Sequence, residues 1–160
     1  MDPKGLVIRT NSPDETQNLA GSLSPFLAAG DVISLCGDLG AGKTCFTQGL
    51  AKGLGIEERV TSPTFNLIKE YKNTLPLYHF DVYRLKKPEE LYDIGYEEYF
   101  YGDGVTIIEW GEKVSSFLPD VCLRIEFKRL LEENARDLRI TYRGERWKDV
   151  VEHRLSSFSK

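Results

Sequence analysis

No apolar run in this 160-residue chain approaches the ~20 residues that cross a bilayer, so no membrane-spanning helix and no membrane partner are expected. The cysteines, Cys36, Cys45 and Cys122, are odd in number and lack metal-ligand spacing. That argues against a disulfide framework or a zinc site and for a reducing, cytoplasmic setting. Met1-Asp2-Pro3-Lys4-Gly5 has no signal-peptide shape. Repeats, low-complexity tracts and linkers are missing as well. With 41% hydrophobic and 29% charged residues, the chain reads as one ordinary globular domain over residues 1–160. A uniform basic excess is lacking too. Residues 1–120 carry 11 Lys/Arg against 18 Asp/Glu, a net −7; residues 121–160 carry 10 against 7, a net +3. The acidic body argues against tight independent binding of nucleic acid, whose affinity rests on neutralising phosphates. The basic tail (Arg124, Lys128, Arg129, Arg136, Arg139, Arg143, Arg146) reads either as a solvated face or as a contact for RNA or an acidic partner.

What is present is a Walker A pattern, Gly37-Asp38-Leu39-Gly40-Ala41-Gly42-Lys43-Thr44, in the setting the motif requires. A buried strand, Asp31 to Cys36, precedes it, and a helix from Cys45 to Leu54 follows. The glycines let backbone N–H groups of Asp38, Leu39, Gly40, Ala41, Gly42, Lys43, Thr44 and Cys45 curl around a polyphosphate at the positive end of the helix. Lys43 would reach the β- and γ-phosphates, and the Thr44 hydroxyl would take a place on Mg²⁺. Cys36 and Cys45 flank this loop, either as packing residues or as redox-sensitive thiols.

Elsewhere the patterning is legible in outline. Gly5–Thr10 reads as a strand, and Ser12-Pro13-Asp14-Glu15 opens a helix whose Leu19, Leu23, Phe26 and Leu27 form one apolar stripe. Phe65–Tyr71 and Leu75–Tyr83 read as strands joined by a turn at Lys72-Asn73-Thr74. Helices are expected from Pro88, broken at Gly95, then over Tyr96–Tyr101 and over Trp147–Leu155, with strands at Gly104–Trp110, Val121–Phe127 and Leu138–Tyr142. The expected fold is α/β: a P-loop NTPase with a mixed, largely parallel central sheet flanked by helices, and antiparallel strands toward the C-terminus.

A phosphate loop needs a further carboxylate to hold Mg²⁺, normally at the end of an apolar strand, and Glu109 after Val105-Thr106-Ile107-Ile108 fits. Thr61-Ser62-Pro63-Thr64 lies where nucleotide switches sense the γ-phosphate, so hydroxyls of Thr61 and Thr64 are candidate contacts. His79, Asp81 and Tyr83 share one strand face. That face either points at the nucleotide, with Asp81 accepting a proton from water, or is the polar outside of a half-exposed strand. His79 reads as structural.

Together these blocks resemble the TsaE (YjeE) ATPases of tRNA threonylcarbamoyladenosine biosynthesis. The resemblance is carried by the 37–44 loop, Ser62-Pro63-Thr64-Phe65, Tyr78-His79-Phe80-Asp81-Val82-Tyr83-Arg84-Leu85, Pro88-Glu89-Glu90-Leu91, Gly95 and Ile108-Glu109-Trp110, and it spans about residues 12–142. It implies a small ATPase, binding ATP/ADP and Mg²⁺, that works on a TsaD–TsaB complex and meets tRNA indirectly through it. Carried over by position, Lys43, Asp81 and Glu109 become catalytic, Thr44 and Glu109 hold the metal, and Trp110 shapes the site. Asn134-Ala135-Arg136 resembles a loop near the nucleotide, which makes Arg136 a candidate contact. The chain departs at Cys45, where the family commonly has Thr, and at Cys36. Two other functions fit a phosphate loop: a small-molecule kinase, although no arginine-rich lid is visible, and a module in which ATP only gates a protein contact. Slow hydrolysis by the isolated protein is expected, because no unambiguous base or arginine finger is visible.

Overall fold

One seven-stranded sheet organises the protein in the computed structural model, which describes residues 5–38, 40–63 and 67–158. The strands are β1 (Gly5–Thr10), β2 (Val32–Gly37), β3 (Ile68–Tyr71), β4 (Leu77–Asp81), β5 (Val105–Glu109), β6 (Cys122–Arg129) and β7 (Arg136–Arg143), in the spatial order β1-β7-β6-β2-β5-β4-β3. The pairs β6–β2, β2–β5 and β5–β4 are parallel, whereas β1–β7, β7–β6 and β4–β3 are antiparallel. The sheet is therefore half parallel rather than largely so. Hairpin returns supply antiparallel edges on both flanks, β3 as well as the C-terminal strands.

The central strands are apolar on both faces because both faces are covered. Val105 and Ile107 of β5, with Ile33 and Leu35 of β2, enter one core together with Leu19, Phe46 and Leu50. Ile108 and Val32 enter the other with Phe80, Leu91 and Phe100. Helices α1 (Pro13–Leu23) and α2 (Lys43–Gly53) supply the first layer. They approach closely at Gly49, where any Cβ would lie 2.4 Å from the Gln17 carbonyl oxygen. α1 starts where expected: the Glu15 N–H donates to Ser12 Oγ at 3.1 Å, the N-cap contact that satisfies a free helix amide. The Glu15 carboxylate accepts from the Asn11 N–H. The helix ends at Leu23 and passes into a 3-10 turn at Ser24–Phe26.

The second layer is irregular. Pro88–Ile94 is a 3-10 segment, not an α-helix; it ends at Gly95, and a short α3 follows over Tyr96–Phe100. Gly111–Phe117 forms two 3-10 turns separated by a kink at Val114, in a stretch without a sequence signal for them. The expected helix at Trp147–Leu155 is a 3-10 turn over Glu145–Trp147 followed by a π turn over Val150–Arg154. Fully buried Trp147 anchors it. Among the described residues, no helix is long and apolar enough to cross a membrane.

Candidate active site

The loops after β2, β4 and β5 leave the carboxyl ends of adjacent parallel strands, the edge at which open α/β sheets bind ligands. The loop after β2 contains the glycine-rich motif. Its first residue, Gly37, has φ +134, and a Cβ there would lie 2.7 Å from the Phe127 carbonyl oxygen of β6. Only glycine lets the strand turn away this close to its neighbour. Asp38, Gly40, Ala41 and Gly42 make the turn, with the Ala41 N–H donating to the Asp38 carbonyl at 3.1 Å, and α2 starts at Lys43. Leu39 lies outside the described residues, as does Thr64 of the later switch segment.

Lys43 is 4% exposed. Its Nζ donates to the carbonyls of Gly37 (2.6 Å) and Asp38 (2.9 Å) and lies 3.9 Å from the centre of the Trp110 ring. Burial pushes the ammonium below the ordinary lysine range, opposed by the charges of Glu112, Glu109 and Asp38. Trp110, at the end of β5, has φ 67, an uncommon conformation for a bulky residue, and its ring also packs on Tyr83 at 4.8 Å between centroids. Local backbone geometry thus turns an apolar strand into one wall of the lysine's cage.

Glu109 closes β5 and is 3% exposed. The Thr44 hydroxyl donates to its carboxylate, at 2.9 Å from Oε1 and 3.1 Å from Oε2. Because that single proton is engaged, the Ser62 hydroxyl, 2.9 Å away, donates to Thr44. His79 Nε2 lies 2.6 Å from Glu109 Oε2, and the imidazole is fully buried. Asp81 stands at the register position opposite Glu109, on the same face of β4 as His79. Its Oδ1 accepts from the Tyr83 N–H, and burial, reinforced by the Glu109 charge, pushes its carboxyl above the usual range.

Lys43, Thr44, Asp81 and Glu109 therefore lie together at one sheet edge. Other residues behave differently. Thr61 contacts the Tyr71 hydroxyl through its backbone, and Ser62 is the residue of that segment that reaches Thr44. Cys45 directs its thiol to the Pro13 carbonyl at 3.4 Å. Burial raises the Cys36 and Cys45 thiols, which disfavours the reactive thiolate and favours the packing role. Arg136 grips the loop from outside: Nε donates to the Ala41 carbonyl (3.1 Å), Nη2 to Gly40 (3.3 Å) and Nη1 to Glu133 and Ala135. Arg143 reaches Pro119 and Arg146 pairs with Asp31, so the basic tail is divided rather than one patch. His79 and Glu112, whose carboxylate accepts from the Gly37 N–H at 3.2 Å, were not among the expected site residues, whereas Ser62 lay within the expected switch segment. Alternation had placed His79 on the correct face, but its partner lies thirty residues away on another strand.

The fold and this edge define a mixed α/β protein with a glycine-rich strand–loop–helix unit and two strand-end carboxylates at the carboxyl side of its parallel core. Residues 10–138 match the family model described as threonylcarbamoyl adenosine biosynthesis protein TsaE. A Bacillus subtilis protein named tRNA threonylcarbamoyladenosine biosynthesis protein TsaE is 46% identical over 150 residues, 93% of each chain. The Treponema pallidum protein of the same name is 47% identical over 125 residues, 78% of this chain and 93% of its own. The crystal structure of Bacillus subtilis YdiB superposes with a TM-score of 0.80 at 41% identity, covering 98% of this chain and 97% of that one. The chain belongs to the TsaE family.

Proposed function

We propose that this protein is a Mg²⁺-dependent ATPase of one domain, which works with a TsaD–TsaB complex in the cytoplasm to support threonylcarbamoyl transfer to adenosine in tRNA. The observation that carries the reading is the meeting of the Thr44 hydroxyl and the Glu109 carboxylate at the foot of α2, beside the caged Lys43 ammonium. Hard oxygen donors of this kind suit Mg²⁺, which characteristically takes one or two protein groups and completes its shell with water and substrate phosphate. Thr44 and Glu109 would hold the ion, Glu109 directly or through water, and the bound ion supplies neutralisation of phosphate charge.

The chain's own groups account for the remaining chemistry. Loop amides from Asp38 to Cys45 and the positive end of α2 would bind the β- and γ-phosphates. Lys43 would exchange its two carbonyl partners for phosphate oxygens, and its burial strengthens that contact relative to one in water. Water would attack the γ-phosphorus as the bond to the β–γ bridging oxygen breaks, Asp81 would accept the water's proton, and ADP and inorganic phosphate would leave. Arg136 would keep the loop carbonyls turned outward so that its amides face the ligand.

The test is ATP hydrolysis by the purified protein across a Mg²⁺ series, alone and with TsaD, TsaB and substrate tRNA. Slow turnover alone, stimulation by the partners, and loss of both in Glu109→Ala are expected. Normal ATP binding and hydrolysis by Lys43→Ala, or vigorous turnover indifferent to the partners, would overturn the proposal.

A further inference from the structure

His79 is the most deeply buried titratable side chain at this edge, with no exposed surface, and the mechanism above gives it no role. Its Nε2 makes a 2.6 Å hydrogen bond to Glu109 Oε2, whereas its buried Nδ1 has no hydrogen-bond partner among the described residues. An unpartnered buried ring nitrogen is a cost that an apolar residue of similar volume would avoid. A proton on Nδ1 would have no acceptor and would leave the Nε2 lone pair facing a carboxylate, so the ring donates from Nε2. Glu109 is thereby held asymmetrically. Oε2 is engaged by the fully buried imidazole at 2.6 Å and lies 3.1 Å from the Thr44 hydroxyl, whereas Oε1 takes the shorter Thr44 contact, 2.9 Å.

We infer that His79 is the positioning residue of the metal site: it fixes the Glu109 carboxylate so that Oε1 is presented, with Thr44 Oγ1, to a divalent cation. The inference rests on the proposed reading of Thr44 and Glu109 as the metal-holding pair. The physical warrant is that carboxylates which ligate metals are oriented by hydrogen bonds of their own, and loss of such a partner typically costs 10–100-fold in metal affinity. The register supports it. His79 lies on β4 opposite Ile107, two residues before Asp81, which is opposite Glu109. The donor is therefore built into the rigid parallel core rather than into a loop, and rigid elements hold a site more precisely than loops do.

Calorimetric titration of the full-length protein with ADP, in EDTA and across a Mg²⁺ series, separates this role from a structural one. His79→Leu removes the donor, and His79→Gln restores an N–H at similar reach. His79→Leu should keep metal-free ADP affinity within about twofold and raise the Mg²⁺ concentration for half-maximal tight binding about tenfold, with His79→Gln recovering to within about threefold. If His79→Leu does not fold, His79→Asn replaces it, since its shorter amide cannot reach Glu109. An unchanged Mg²⁺ requirement in the donor-less variant, or equal loss in it and His79→Gln, would overturn the inference provided Glu109→Gln does shift that requirement. If Glu109→Gln shifts nothing, the metal reading itself fails, and the role of His79 falls with it.

Discussion

The two ends of the β2–β5 strand pair bury charge in opposite ways. At the amino end, Asp31 is gripped by Arg146 in a two-point contact, Nε to Oδ1 at 2.7 Å and Nη2 to Oδ2 at 2.6 Å, and also accepts from the Ala28 N–H at 2.7 Å. Arg146 adds a bond to the Phe26 carbonyl. Every charge there has a fixed counter-charge, and the geometry is the fork pairing that guanidinium makes best. At the carboxyl end, Lys43 bonds to neutral carbonyls and faces an indole ring, while Glu109 bonds to a hydroxyl and an imidazole. Among the described residues, no ion pair joins Lys43 to a carboxylate. One end is closed by its own side chains; the other keeps a cation and an anion buried, close and apart. On the proposed function, a polyphosphate and its cation would complete these charges.

The largest effect that would sharpen this contrast comes from the open end. Lys43→Ala should lower ATP turnover about 10²–10³-fold, the usual loss when one preorganised charge-stabilising donor is removed. Its folding stability, measured by urea unfolding, should be unchanged or slightly higher, because a desolvated ammonium is gone. A large loss of stability would make Lys43 structural and break the contrast. Arg146→Met tests the closed end. It leaves Asp31, 6% exposed at its side chain, without its counter-charge, which should cost about 3 kcal/mol of unfolding free energy. ADP affinity of the folded variant should be that of the parent.

A smaller effect is expected at the turn by which β2 leaves the sheet at the open end. Gly37→Ala places a methyl 2.7 Å from the Phe127 carbonyl oxygen at φ +134, so β2 and β6 must part locally. Urea unfolding should register a loss of about 2 kcal/mol, the cost of a residue held in a forbidden backbone region, and the loop should bind ADP more weakly. Retained affinity at reduced stability would show that the turn serves the sheet more than the loop.

What the sequence revealed of these regions follows from the range of the forces involved. The 37–44 loop, the cap at Ser12 and the shared face of His79 and Asp81 were legible because each depends on residues a few positions apart. The Asp31–Arg146 and His79–Glu109 contacts were not, since they span 115 and 30 residues and depend on strand order. Arg136 was placed near the loop by resemblance; that it would turn its donors to the Gly40 and Ala41 carbonyls depends on β7 lying across β6 from β2. The segments 88–94 and 145–154 share helix-forming sequence with true helices. In the folded protein they form short turns that bury Leu91 and Trp147 in the two cores, a packing set by distant residues.

The smallest expected effect is a pH dependence at Asp81, midway between the two styles of burial. Its carboxyl is pushed above the usual range, first by burial and then by the Glu109 charge, against the favourable Tyr83 N–H bond. The native state therefore holds the Asp81 proton more tightly than the unfolded chain, whose carboxyl titrates at about pH 4. Where the native state binds more protons, stability falls as pH rises. This contribution should therefore decline from about pH 4 up to the raised native value and stay level above it. Asp81→Asn removes the titration, so the variant should gain stability relative to the parent across that window and keep the gain at neutral pH. Thermal unfolding of both proteins at matched pH values between 4 and 8 would show the two curves diverging. Parallel curves would mean that Asp81 has its charge matched as fully as Asp31 does, and that the open end is confined to Lys43 and Glu109.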